Sequence, residues 1–233
     1  MAIRKESRNG NNKRGPYKPG KIRDHNFQVI LKAAEQEFAL NGYKGTTTQK
    51  IADRAGVAKP SIHYYFSSKH NLYLTVLDNI IHLWNDYLDT VEVEDDPAEV
   101  LDMFIRKKVE LSFSHPEASK VFAMEIIQGA PFLRDYIRTE MRTWVREKAA
   151  FMSQWIDQGR MAPVDPVQLI FLIWSSTQHY ADFDTQVLTV MNHAEYEPEM
   201  IQHISDFISG MILRGCGLEV PGAQAGKRKS SAG

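Results

Sequence analysis

The 233-residue chain carries 28 Lys and Arg against 29 Asp and Glu, and 43% of it is hydrophobic, enough to core one large domain or a small one joined to a larger one. Its single cysteine, Cys216, excludes an intrachain disulfide and fits a reducing compartment. The N-terminus shows no apolar run resembling a signal peptide, and the longest apolar run, residues 169–174, falls far short of the roughly 20 residues of a membrane span, so the expected location is cytoplasmic.

The net charge of -1 conceals a strong asymmetry. Residues 1–70 hold fourteen Lys and Arg against five Asp and Glu, whereas residues 71–233 hold fourteen against twenty-four. A basic first third on an acidic remainder is the footprint of a molecule that meets DNA with one end only. A solubilising basic leader accounts for part of the excess, but not for its continuation through Lys32, Lys44, Lys50, Arg54, Lys59 and Lys69.

Residues 1–25 are polar and basic and read as a disordered arm, either a plain leader or a source of extra phosphate and minor-groove contacts. Residues 26–70 read as a three-helix DNA-binding domain. From 26 to 41, Phe27, Ile30, Ala34 and Phe38 recur at helical spacing, and Gly42 supplies a stop. A second helix spans 48–55, with Thr47 or Thr48 as its cap, Ile51, Ala52 and Ala55 as a narrow apolar stripe, and Gly56 as its end. Pro60 then opens a third helix without sacrificing a hydrogen bond, while Val57 and Ile62 pin it against the second.

Two short helices joined by this turn read as a helix-turn-helix. Lys59, Ser61, His63, Tyr64 and Tyr65 share the outward face. A Tyr-Tyr-Phe cluster is more often core than contact, and Phe66 is expected to be core. Tyr64 and Tyr65 can pack their rings and still present hydroxyls to phosphates. Lys69, beside Ser67 and Ser68, is placed to clamp the same backbone.

Residues 71–216 read as a second all-α unit. A helix over 68–91 carries Leu72, Val76, Ile80, Leu83 and Tyr87 along one stripe and ends in the acidic loop 92–96. The openers Asp96-Pro97, His115-Pro116 and Asp165-Pro166, with breaks at Gly129-Ala130-Pro131 and Gly159, predict helices near 97–114, 116–128, 132–158, 165–183 and 197–214. The sequence shows no convincing strand alternation. Residues 217–233 read as a disordered tail.

The sequence has no glycine-rich phosphate loop, paired cysteines or His-Glu-x-x-His arrangement, and nothing sets a nucleophile beside a base. Neither an enzyme nor a cofactor is expected. His179 and Asp182 stand three apart without a third ligand, so no metal site is expected either. The informative stretch is 169–183, apolar on all sides at first and then crowded with hydrogen-bonding groups. Burying these without partners costs roughly 1–3 kcal/mol each. Trp174 and Gln178, four apart, share a face and suit a small planar molecule with a mixed donor and acceptor edge. The same helix also suits a dimer seam, and Gln178 reads as a ligand contact, an interface residue or one with an internal partner.

Thr47-Thr48-x-x-Ile51-Ala52-x-x-Ala55-Gly56-Val57, then Ile62-His63-Tyr64-Tyr65-Phe66 and Lys69-x-x-Leu72, resembles the DNA-binding domain of the tetracycline-repressor (TetR) family. The resemblance implies operator DNA as partner, with Thr48, Gln49, Lys59, Pro60, Ser61, His63, Tyr64, Tyr65 and Lys69 facing it. It also implies a homodimer seamed by the last two helices. Ala58 and His63 depart from the serine and tyrosine usual there, which bears on the operator sequence.

Within that family, Ser114 to Ser119, Met124-Glu125, Gly129-Ala130-Pro131 and Trp174-x-x-x-Gln178-His179-Tyr180-Ala181-Asp182-Phe183 are similar to the regulators of pyrimidine utilisation. This implies a repressor whose DNA affinity is set by uracil or thymine, controlling pyrimidine catabolism or related nitrogen genes. By position, Trp84, Trp174 and Gln178 would contact the base, whereas Trp84 read alone is a core residue. The competing readings are a repressor of the same family for another planar or apolar ligand, such as an efflux substrate, an enzyme acting on a nucleobase, and an architectural DNA binder with no effector.

Overall fold

In the computed structural model, which describes residues 19–85, 88 and 91–222, every regular element is a helix. The first, α1 (Pro19–Gly45), begins ahead of the start at 26 that apolar spacing predicts, because its opening turns are polar and carry no periodic signal. The expected arm therefore gives way to helix at Pro19, and its remainder, 1–18, lies outside the described residues. Gly42, expected to stop α1, instead kinks it at φ 64° and ψ 175°, a backbone that a β-carbon disfavours.

The next two helices form as their local signals dictate. Thr47 caps α2 (Thr48–Ala55) by accepting the Lys50 amide at 3.2 Å, and Gly56 ends it in the left-handed region at φ 65°. Pro60 sits in the first turn of α3 (Lys59–Phe66). The long α4 (Lys69–Asn85) follows. Ile30, Ala34 and Phe38 of α1, Ile51 and Ala52 of α2, Ile62 and Phe66 of α3, and Leu72, Val76 and Ile80 of α4 bury into one apolar cluster. Phe66 is core, as expected, while Tyr87 lies outside the described residues. Each of the larger side chains among them contributes about 1.5–3 kcal/mol when fully buried.

A second cluster is built around α5 (Pro97–Ser114), whose Asp96 cap accepts the amides of Ala98 and Glu99. After α6 (Pro116–Ile127), a short α7 (Arg134–Tyr136) runs through a π-helical stretch (Ile137–Met141) into α8 (Arg142–Asp157). The Asp165 side chain caps α9 (Pro166–Asp182). The sequence did not announce α10 (Asp184–Met191): none of its residues is buried, so it has no core-facing stripe to read. The chain closes with α11 (Pro198–Gly215). Leu218 and Val220 pack on the same cluster, so the helical unit extends past 216, and the tail from 223 lies outside the described residues.

The two clusters meet at α6, which packs against α1, α4, α5 and α9. Its buried Glu125 accepts the Tyr73 hydroxyl of α4 at 3.0 Å and the Phe132 amide at 2.7 Å. Burial beside this carboxylate pushes the Tyr73 phenol above its ordinary range. Lys32 of α1 adds a more exposed ion pair to Glu117.

Candidate DNA-reading helix and effector site

At the helix-turn-helix, the groups that hold the helices together are internally paired. Thr46, 1% exposed, donates its hydroxyl to the carbonyls of Glu37 at 2.9 Å and Gly42 at 2.8 Å, locking the kink of α1 to the start of α2. Arg54 of α2 donates to Glu37 at 2.6 Å. The sequence reading passed over Thr46 in favour of its neighbours, although a run of three threonines after a glycine held the signal.

The residues expected to face DNA divide into two groups. Gln49, Lys59, Pro60, His63 and Tyr64 are exposed, and Thr48, Ser61 and Tyr65 are half-buried. Tyr64 is 72% exposed and meets Tyr65 edge-on at 5.1 Å, while Tyr65 leans on the first core cluster. Lys59 forms no ion pair among the described residues, and Gln49 donates to Asp53 at 2.8 Å. Lys69 is different. It is half-buried, donates to the carbonyls of Tyr43 at 2.8 Å and Thr46 at 3.0 Å, and lies 4.3 Å from the centre of the Tyr43 ring. Its charge is thus spent first on joining α4 to the α1–α2 turn.

In the second unit, Trp174 is half-buried on α9, stacked at 5.9 Å and 27° on Trp144 of α8. Gln178 stands one turn further along, half-buried, and its amide makes no hydrogen bond among the described residues. The neighbouring hydroxyls do not share its condition. Thr177 donates to Ile173 O at 2.7 Å, Ser176 to Leu172 O at 2.8 Å and Ser175 to Leu172 O at 3.1 Å. The crowd of polar groups that the sequence left needing partners is largely satisfied by the carbonyls of its own helix.

Trp84, at the far end of α4, is 9% exposed and edge-on to Phe122 at 5.0 Å. It belongs to the first apolar cluster, whereas Trp174 packs against the second. Two further side chains were missed by the sequence reading. Trp144 Nε1 is the one buried side-chain nitrogen or oxygen left without a hydrogen-bond partner among the described residues. Lys108 of α5, only 7% exposed, holds its ammonium 5.0 Å from the centre of the Trp84 ring.

Burial alone pulls the Lys108 ammonium down to about 8. Contact with an aromatic face returns about 2 kcal/mol when desolvated, whereas burying an unpaired ion costs several. Lys108 falls on the stripe Leu101, Ile105, Lys108 and Ser112, at core spacing, and that was its signal in the sequence.

His179 and Asp182 do not converge. His179 stacks on Phe183 at 5.1 Å, while Asp182 accepts the Ser119 hydroxyl and its carboxyl is raised by burial. Among the described residues no three His, Cys, Asp or Glu gather as metal ligands, and no helix is long and apolar enough to cross a membrane. Between α9 and α11 runs an apolar groove of about 590 Å³, lined by Leu169, Leu172, Phe207, Ile208 and Met211, of which Leu172, Phe207 and Met211 are exposed.

Comparison with known proteins agrees with this architecture. Residues 30–76 match the family of bacterial regulatory proteins, tetR family, and residues 77–219 match the C-terminal region of YcdC-like protein. The HTH-type transcriptional regulator RutR of Escherichia coli K12 is 37% identical over 188 residues, covering 81% of this chain and 89% of the relative. Among solved structures, the ketosteroid transcriptional regulator KstR2 of Mycobacterium tuberculosis superposes with a TM-score of 0.64 at 20% identity, covering 82% of this chain and 94% of that one. AibR, solved in complex with isovaleryl coenzyme A and operator DNA, gives 0.61 at 20% identity over 80% and 97%. These relatives are regulators rather than enzymes, and the chain belongs to the TetR family of transcriptional regulators.

Proposed function

We propose that the protein is a homodimeric repressor whose affinity for operator DNA is set by a uracil-type pyrimidine, uracil or thymine, controlling pyrimidine catabolism or related nitrogen genes. The observation that carries this reading is the Gln178 amide, without a hydrogen bond among the described residues, one helical turn from Trp174 and within a run similar to the pyrimidine-utilisation regulators. A pyrimidinedione offers ring N–H donors beside carbonyl acceptors, and one amide can meet such a pair while an indole face covers the ring.

Thr48, Gln49, Lys59, Pro60, Ser61, His63, Tyr64 and Tyr65 would then meet the operator, the lysine and hydroxyls on phosphates and the exposed part of α3 on base edges. Lys69 would act on the same backbone from its tethered position. The exposed side chains of the groove between α9 and α11 support a seam with a second copy, since an apolar patch of this kind marks an interaction surface. The effector signal would travel along α4, which carries Lys69 at one end and Trp84 at the other. At ~1.5 Å per residue these lie roughly 22 Å apart, so a small tilt at one end displaces the other.

Calorimetric titration with uracil, thymine and a panel of planar and apolar compounds, run beside an operator-binding assay, tests the reading. Uracil or thymine binding that changes operator affinity is the expected result. Binding of another member of the panel alone would replace the pyrimidine by that compound.

A further inference from the structure

Lys108 is a charged side chain that neither half of this reading uses. Its ammonium makes no hydrogen bond and no ion pair among the described residues, and it lies 5.0 Å from the centre of the Trp84 ring. The single cause that displaces its titration is burial, with no carboxylate opposing it. An ammonium has three donors and no acceptor, so whatever completes it must supply an oxygen or another lone pair.

We propose that Lys108 is a specificity-determining contact to the effector, donating to an exocyclic oxygen of a ring seated against Trp84, so that the site takes dioxo-heterocycles in preference to their amino counterparts. This rests on the pyrimidine reading above. The inventory of unpaired groups points to the same class. Trp144 Nε1, the orphaned buried atom beside Trp174, is again a donor, and Gln178 adds one donor function and one acceptor. A dioxopyrimidine offers such donors two exocyclic oxygens, whereas an aminopyrimidine such as cytosine offers one. Replacing an exocyclic oxygen by an amino group would set a donor against a donor, which is how a polar site rejects a near isostere.

The test compares the unaltered protein with Lys108→Met and Lys108→Gln, titrating each with uracil and with cytosine while following operator binding and thermal melting. The unaltered protein should prefer uracil. Lys108→Met should lose uracil affinity by about 10- to 100-fold, as expected for one hydrogen bond from a charged donor, and lose most of the discrimination. Its melting temperature should hold or rise, because a lysine kept for structure alone would lower it on removal. Lys108→Gln, which keeps a donor, should fall between the two, and it carries the test if the methionine variant fails to fold. Unchanged uracil affinity with discrimination intact in the folded variants would overturn the proposal and leave the pyrimidine reading standing. Absence of uracil binding by the unaltered protein would remove that reading, and this proposal with it, before any variant is compared.

Discussion

The two ends of α4 are incomplete in opposite ways. Around Lys69 the fixing groups are paired, and what remains open is exposed: Lys59 and most of the Tyr64 ring. Around Trp84 and along α8 and α9, the groups without a partner among the described residues are Lys108, Trp144 Nε1 and the Gln178 amide, all withdrawn from full solvent contact. Water serves an exposed unpaired group at little cost, whereas a buried one costs free energy until a partner arrives. On the function proposed above, the DNA-reading end would be rigid before it binds, and the other end would be completed by its effector.

The sharpest way to break this contrast is at Gln178. Gln178→Leu keeps the approximate volume and removes both donor and acceptor, so two hydrogen bonds to a pyrimidine would be lost at roughly 1–3 kcal/mol each. At ~1.4 kcal/mol per tenfold, the uracil dissociation constant should rise about 10- to 10⁴-fold, with operator binding and dimerisation intact. Calorimetry reads this directly, and undiminished affinity would return Gln178 to an interface or structural role.

Lys108 gives a prediction about stability in the absence of ligand. Its ammonium is depressed from 10.5 to about 8 in the folded chain, so between those values the unfolded chain binds more protons and stability rises with pH. Below about 8 the penalty of the buried charge is fully present, on the order of 3 kcal/mol at 1.36 kcal/mol per unit. Lys108→Met should therefore melt several degrees higher at pH 7, at about 2–4 °C per kcal/mol. That gap should close as the pH is raised toward 10.5. Calorimetric melting of both proteins across this range checks the sign, and a variant that melts lower at pH 7 would show the charge to be compensated.

Tyr73→Phe addresses the joint between the two ends. It leaves the ring in place but strips one hydrogen bond from the buried Glu125. The expected cost is roughly 1–3 kcal/mol of stability. If the joint transmits the signal, the change that effector makes in operator affinity should shrink while both separate affinities hold. A full effector response in a destabilised protein would assign Glu125 to packing alone.

The DNA-reading end was largely legible in the sequence because its determinants are local. Thr47, Gly56 and Pro60 set the helix ends within a few residues of themselves, and the structure follows them. What escaped were relations between helices far apart in the chain. Lys69 finds the carbonyls of Tyr43 and Thr46 only once α4 lies across the end of α1. Trp144 and Trp174 meet only because α8 packs on α9. The spacing of the polar run 175–177 shows that it needs partners but not which, and a helix interior offers each hydroxyl its own carbonyl one turn back. By contrast, α10 had no periodic apolar face because it buries none of its residues.

The smallest expected effect separates the two lysines that the sequence placed together. Lys59 is exposed on α3 and free of ion pairs among the described residues, so its charge is available to a phosphate. Lys59→Ala should reduce the slope of log operator affinity against log salt by about one unit, the change that accompanies loss of one phosphate contact. Lys69 already divides its ammonium between two backbone carbonyls and the Tyr43 ring. Lys69→Ala would leave the carbonyls of Tyr43 and Thr46 without this donor, so its primary cost should appear as a lower melting temperature, with the salt slope changed by less than in the Lys59 variant. Operator titrations between 50 and 200 mM salt, paired with melting curves for each protein, measure both quantities. Equal slope changes in the two variants would mean that Lys69 reaches phosphate from its tethered position, and an unchanged slope for Lys59→Ala would remove that residue from the DNA-facing set.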